Sequence, residues 1–167
     1  MVAPWHYLSG RVRNGPPAFE AAHGENVWKY ASKHPELSEL ISGAMACDAR
    51  VSVPAIVNGC AGFFDGINII VDVGGAKGTA LGVLVKAFPW IKDKGMVIIV
   101  EAVIREDEDS KFKYVGLMLD MIMLAHTNNG KERTEEEWGS ILTKAGFSRF
   151  TVKPIHAVQS VIIAYPC

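Results

Sequence analysis

The apolar positions of this chain change period part-way along, and the change divides the sequence. Ahead of residue 67 they keep helical spacing. Leu37, Leu40, Ile41, Ala44 and Met45 follow the i, i+3, i+4, i+7, i+8 rule of a buried helical face, and Pro35 opens that helix. Before it, residues 19–33 read as a helix interrupted near Gly24, with Val27, Trp28 and Ala31 on the apolar side. Residues 1–16 carry Gly10, Gly15 and Pro16 and read as loop, while residues 55–60 predict a further helical turn or two before Gly62.

From Ile67 the pattern is that of a strand. Residues 67–73 are mostly β-branched and apolar, as in a parallel strand covered on both faces. Residues 79–88 then predict a helix closed by Pro89, and residues 96–100 a second buried strand. Residues 113–125 show one wide apolar helical face. Thr134 starts a helix with a capping box to Glu137; Trp138, Ile141 and Leu142 form its stripe, and Gly146 stops it. Residues 150–155 and 158–164 predict a final antiparallel pair. The order is α/β with a helical leader. The sheet is thin, about four strands against the usual ~5–6.

Composition narrows the class. The 167 residues suit one domain, and 49% hydrophobic with 21% charged residues is an ordinary globular balance. A net charge of −1 points to neither nucleic acid nor an anionic membrane as partner. The longest apolar runs are strand-length, which predicts no membrane span. Residues 1–15 hold no apolar signal-peptide core. Cys47, Cys60 and Cys167 are scattered, without metal-ligand spacing, and fit a reducing compartment; the expected location is the cytoplasm.

The chemistry concentrates at Asp72-Val73-Gly74-Gly75-Ala76-Lys77-Gly78. A strand there ends beside an acid, and a glycine-rich turn opens a helix, so backbone N–H groups face a ligand. The glycine positions fit neither G-x-G-x-x-G nor the Walker pattern. An acid-preceded turn of this kind suits a ligand whose ribose and amino-acid tail lie over it, such as S-adenosylmethionine. A structural corner where glycine relieves crowding is the alternative. By position, Glu101 at the end of the next strand is the naive partner for ribose hydroxyls.

An ordered set of segments then carries a resemblance. It runs through Pro4-Trp5-His6-Tyr7-Leu8, Ala22-His23-Gly24 with Trp28 and Tyr30, Ala44-Met45 with Asp48 and Arg50, and Val71-Asp72-Val73-Gly74-Gly75. It continues with Phe88-Pro89, Val97-Ile98-Ile99-Val100-Glu101, Gly130-Lys131-Glu132-Arg133-Thr134-Glu135 with Trp138, Ala145-Gly146-Phe147 and Tyr165-Pro166. Together these resemble the plant S-adenosylmethionine-dependent O-methyltransferases of phenolic small molecules, in the isoflavone, acetylserotonin and benzylisoquinoline subgroup.

The resemblance implies a Rossmann-like class I methyltransferase core. Residues 67–167 would form that core, binding S-adenosylmethionine through Asp72, Gly74, Gly75 and Gly78, and residues 1–66 a helical leader on the substrate side. It moves Glu101 from ribose binding to the catalytic side, where it and Glu132 would orient a catalytic histidine. Leu37, Ile41, Met45, Ile122, Met123 and Thr127 match positions lining the aromatic substrate pocket, although core packing explains each equally well.

Two departures from the family pattern stand out. The family's helical dimerisation domain is not in this sequence, which puts the implied homodimer in doubt. Lys92-Asp93-Lys94-Gly95 also joins directly two segments that the family separates by several strands. That block would hold the ribose-binding acid, the adenine contacts and the His-Asp-Trp segment with the general base. The core is therefore expected to be internally truncated, and the chain a weak or inactive O-methyltransferase. The alternatives are a non-catalytic truncated isoform or incomplete gene model acting at most as a binding partner, and an unrelated nucleotide-binding module. Among His6, His23, His34, His126 and His156, His126 is the nearest to a spare base; Trp5 either caps the substrate pocket or packs within its loop.

Overall fold

The computed structural model describes residues 1–60, 62, 65, 96–105 and 112–166. The strand expected over 67–73, the glycine turn and the helix over 79–88 lie outside these residues. The chain divides into two compact units, Met1–Ile41 with Ile104–Arg133 and Ser42–Val103 with Thr134–Cys167.

The first unit opens with a 3-10 helix, Ala3–Tyr7, that runs on into α1, Leu8–Val12. The loop expected over 1–16 is thus mostly helical. Pro4 sits in the first turn, where a missing N–H breaks no hydrogen bond. The breakers act later, around Asn14, which takes a left-handed φ of 65°. The interrupted helix is as expected. α2, Ala18–His23, ends at Gly24 with φ 80°, and α3, Val27–Lys33, starts where the Asn26 side chain accepts from the Lys29 N–H at 3.0 Å. The break folds the two halves onto one ring cluster. Phe19, 1% exposed, lies 4.5 Å from the His23 ring and 5.7 Å from Tyr30, centroid to centroid. α5, Lys113–His126, matches the predicted apolar helix and buries Ala125 and His126.

Between these, α4 runs unbroken over Pro35–Gly59. The separate turn expected over 55–60 is simply its end. Pro54 lies inside it, at a cost of about 3 kcal/mol for an interior proline. Burial of Val53 and Ile56 beside that position offsets the loss. By length and composition alone α4 could cross a membrane. Its Ile56, with Cys60 just beyond its end, instead enters the core of the second unit.

The strands are β1, Val97–Ile104; β2, Arg133–Thr134; β3, Phe147–Pro154; and β4, Gln159–Pro166. Helix α6, Glu135–Lys144, follows β2. The sheet order is β2-β1-β4-β3, and β4 pairs antiparallel with both neighbours. β3 and β4 are the expected final pair. β4 is central, with Val161 to Ala164 all at most 5% exposed. Its alternate residues serve two cores. Val161 and Ile163 pack with Ile56, Cys60, Ile155 and Ala157, and Ile162 and Ala164 pack with Leu142 of α6. β1 is longer than expected and only half covered: Ile98 and Ile99 meet the two cores, while Val97 and Val100 are 40% and 37% exposed.

Candidate functional site

Asp72, Gly74, Gly75 and Gly78, the expected cofactor turn, lie outside the described residues. Of the two candidate glutamates, Glu101 is exposed on β1, opposite Ser160 of β4, in the second unit. Glu132 belongs to the first unit and ends a tightly held loop. Its N–H donates to the Asp120 carboxylate of α5 at 2.8 Å.

The loop between α5 and Glu132 is pinned along its length. The Thr127 hydroxyl donates to the Met123 carbonyl at 2.7 Å and accepts from the Gly130 N–H at 2.8 Å. Glycine is required at 130, because a Cβ there would overlap the Thr127 hydroxyl. The Asn128 amide donates to the Glu20 carboxylate at 2.7 Å, and the Arg11 guanidinium donates to the Asn128 carbonyl. α1, α2 and α5 therefore fix the backbone on which Glu132 sits.

Among the substrate candidates, Leu37, Ile41 and Met45 follow one line of α4 at i, i+4 spacing. Leu37 and Ile41 are half-buried, and Met45 is 58% exposed. Ile122 and Met123 lie near the end of α5, and Thr127 follows it. The Thr127 hydroxyl is already committed at both of its hydrogen-bonding roles.

His126 does not stand as a spare base. The ring is 7% exposed, and its Nδ1 and Nε2 each lie 3.0 Å from a backbone carbonyl, those of Ile122 and Met1. Trp5 packs edge-on against it at 5.9 Å, the loop-packing alternative of the sequence analysis. The His23 pKa is lowered from its usual 6.5 chiefly by burial, with nearby positive charge of the N-terminal amine, His34 and His126 adding to it.

Sequence reasoning missed Asp120. The signal was present, since it is the one acid in the run Leu117-Met118-Leu119-Asp120-Met121-Ile122-Met123-Leu124. The Arg11–Asn128–Glu20 clamp had no signal, because its partners are more than a hundred residues apart.

The O-methyltransferase domain model matches residues 5–94 and 90–148. The chain belongs to the O-methyltransferase domain family. It is 39% identical to the acetylserotonin O-methyltransferase of Arabidopsis thaliana over 241 aligned positions, covering 99% of this chain and 63% of that enzyme. It is 33% identical to the (RS)-norcoclaurine 6-O-methyltransferase of Thalictrum flavum subsp. glaucum, covering 99% and 66%. The chain thus spans a little under two thirds of these relatives' length. Human N-acetylserotonin methyltransferase, solved with S-adenosylmethionine, shares the fold with a TM-score of 0.81 at 15% identity over 98% of this chain and 66% of that one. Mitomycin 7-O-methyltransferase does so with a TM-score of 0.77 at 19% identity, over 99% and 68%. The α/β Rossmann-like methyltransferase fold class is therefore correct for this chain. The two matched segments of the family model overlap at 90–94, the stretch containing the expected Lys92–Gly95 junction.

Proposed function

We propose that this chain derives from an S-adenosylmethionine-dependent O-methyltransferase acting on a phenolic hydroxyl of a plant secondary metabolite, and that in its present form it is weak or inactive. The observation that carries the family part is the 39% identity to a plant acetylserotonin O-methyltransferase across 99% of the chain. The donor set at the glycine turn fits the cofactor chemically. By residue type, Gly74, Gly75 and Gly78 have no side chains to cover a backbone-bound amino-acid tail, and Asp72 brings a carboxylate. When bound, S-adenosylmethionine supplies an electrophilic methyl group.

The chain's own residues supply little acid–base help. Glu101 and Glu132 are supports whose histidine has no counterpart in this sequence. A phenol of pKa near 10 then loses its proton to water, forgoing the ~10²–10⁴ in rate that a positioned base contributes. A cytoplasmic location goes with this reading. So does a small phenolic substrate, with neither nucleic acid nor membrane as partner.

A second reading is a non-catalytic truncated isoform or incomplete gene model. What favours it is the alignment with the Arabidopsis relative, whose 241 positions exceed the 167 residues here, so that the relative carries residues with no counterpart in this chain. Titration calorimetry with S-adenosylmethionine separates the two. Saturable heat at millimolar cofactor or below, abolished by Gly74→Val, supports a retained cofactor site; no heat at millimolar concentration leaves the second reading.

A further inference from the structure

One cleft in the first unit has no part in the reading above. It encloses about 410 Å³ and is lined by Asn26, Val27, Trp28, Thr127, Asn128, Asn129 and Gly130. That volume is within the range of small-molecule sites, roughly 300–1,000 Å³. Its walls are rigid for reasons already given. The Asn26 side-chain oxygen caps α3, Thr127 bridges Met123 and Gly130, and Asn128 is held by Glu20 and Arg11. Two side chains on the cleft remain uncommitted to any hydrogen bond or ring contact among the described residues. These are the Trp28 indole, 67% exposed, and the Asn129 amide, also exposed. No charged side chain is among the lining residues.

We propose that this cleft binds a neutral, hydroxyl-bearing ring: a hexopyranose, either free or as the sugar of a phenolic glycoside. A flat, exposed indole offers an apolar face for the C–H face of a pyranose. An amide beside it offers a donor and an acceptor at once, the pair that adjacent hydroxyls require. Three further amide or hydroxyl groups fix the frame and so lower the ordering cost of binding. The absence of lining charge disfavours phosphate and carboxylate ligands. Of the six substrate-pocket candidates only Thr127 borders the cleft, with its hydroxyl already used, so the two sets overlap at that one residue.

The test is saturation-transfer NMR on the full chain, without S-adenosylmethionine, titrating methyl β-glucopyranoside, phenyl β-glucopyranoside, phenol and glucose 6-phosphate. The expected result is saturable binding of both glucosides with a dissociation constant on the order of 1–10 mM, as befits a shallow site. Trp28→Ala should weaken it about tenfold, the equivalent of one stacking contact, while Trp28→Phe keeps the ring face and stays within about threefold. Asn129→Ala should weaken it about threefold. Both positions are exposed, so circular dichroism should report an unchanged fold. No saturable glucoside signal, full binding by a folded Trp28→Ala variant, or equal binding of phenol alone or of the phosphate would each overturn the proposal. Because no cofactor is present, these outcomes are independent of whether the methyltransferase site works.

Discussion

Asp120 shows how much one side chain can decide. It is the acceptor for the Glu132 N–H at 2.8 Å, and nothing in the apolar helix around it substitutes for that carboxylate. Asp120→Ala should leave that amide exchanging with solvent and lower stability by about 1.5–3 kcal/mol, the usual range for a hydrogen bond to a charged group. Asp120→Asn, which keeps an oxygen acceptor, should recover part of the loss. Native-state hydrogen exchange at Glu132 reads both; unchanged protection in Asp120→Ala would show that the loop is held elsewhere. His23 makes a different prediction, through pH. Its folded-state pKa lies below the usual 6.5, so between those two values the unfolded chain binds more protons than the folded one. Its contribution is therefore intact above pH 6.5 and is lost as pH falls through the folded pKa. His23→Phe, which preserves the ring packed against Phe19 and Tyr30, should flatten the dependence of the melting temperature on pH in that window. An identical slope in the variant would assign the effect to another group.

At the scale of elements, caps and periods announced locally mark real elements, but burial, which depends on distant partners, does not follow: Leu40, Ala44 and Met45, expected on a buried face, are exposed. α6 is the clearest success. Thr134 accepts from the Glu137 N–H at 3.3 Å and its own N–H donates to the Glu137 carboxylate at 3.1 Å, the reciprocal box that Thr134 and Glu137 spell out. Thr134→Ala should cost about 1 kcal/mol, seen as a lower denaturant midpoint at constant slope, with Thr134→Ser near wild type. A loss below a few tenths of a kcal/mol would mean that tertiary packing alone holds that helix end. The break at Gly24, the helix over 113–125 and the last hairpin were legible for the same reason, since capping residues and period are local. Two features were not. The first sixteen residues look like loop because glycine and proline dominate them, yet Pro4 sits where a helix tolerates it. β1 looks as buried as β4, because both are apolar runs. Only the neighbours separate them: β4 lies between the eight-residue β1 and β3, whereas β1 has the two-residue β2 on its other side.

For the whole molecule, the family was legible in the sequence, whereas the glycine turn lies outside the described residues and Glu101 and Glu132 fall in different units. Glu132's footing depends on Arg11, Glu20 and Asp120, and no spacing rule links residues so far apart. The proposed lack of a general base bears on chemistry in a way that a pH profile can read. If, as proposed, no histidine here works with Glu101 and Glu132, any methyl transfer by this chain depends on phenolate formed in solution. The rate with a phenol of pKa near 10 should then rise about tenfold for each pH unit between pH 7 and 9, with no plateau near neutrality. A dinitrophenol, ionised throughout this range, should lack this dependence, and Glu132→Gln should change neither profile. If the enzyme instead shows a plateau beginning near pH 7 with the ordinary phenol, and Glu132→Gln abolishes it, a general base operates in this chain. The weak-activity reading then fails, and Glu132 or a group it holds takes the proton.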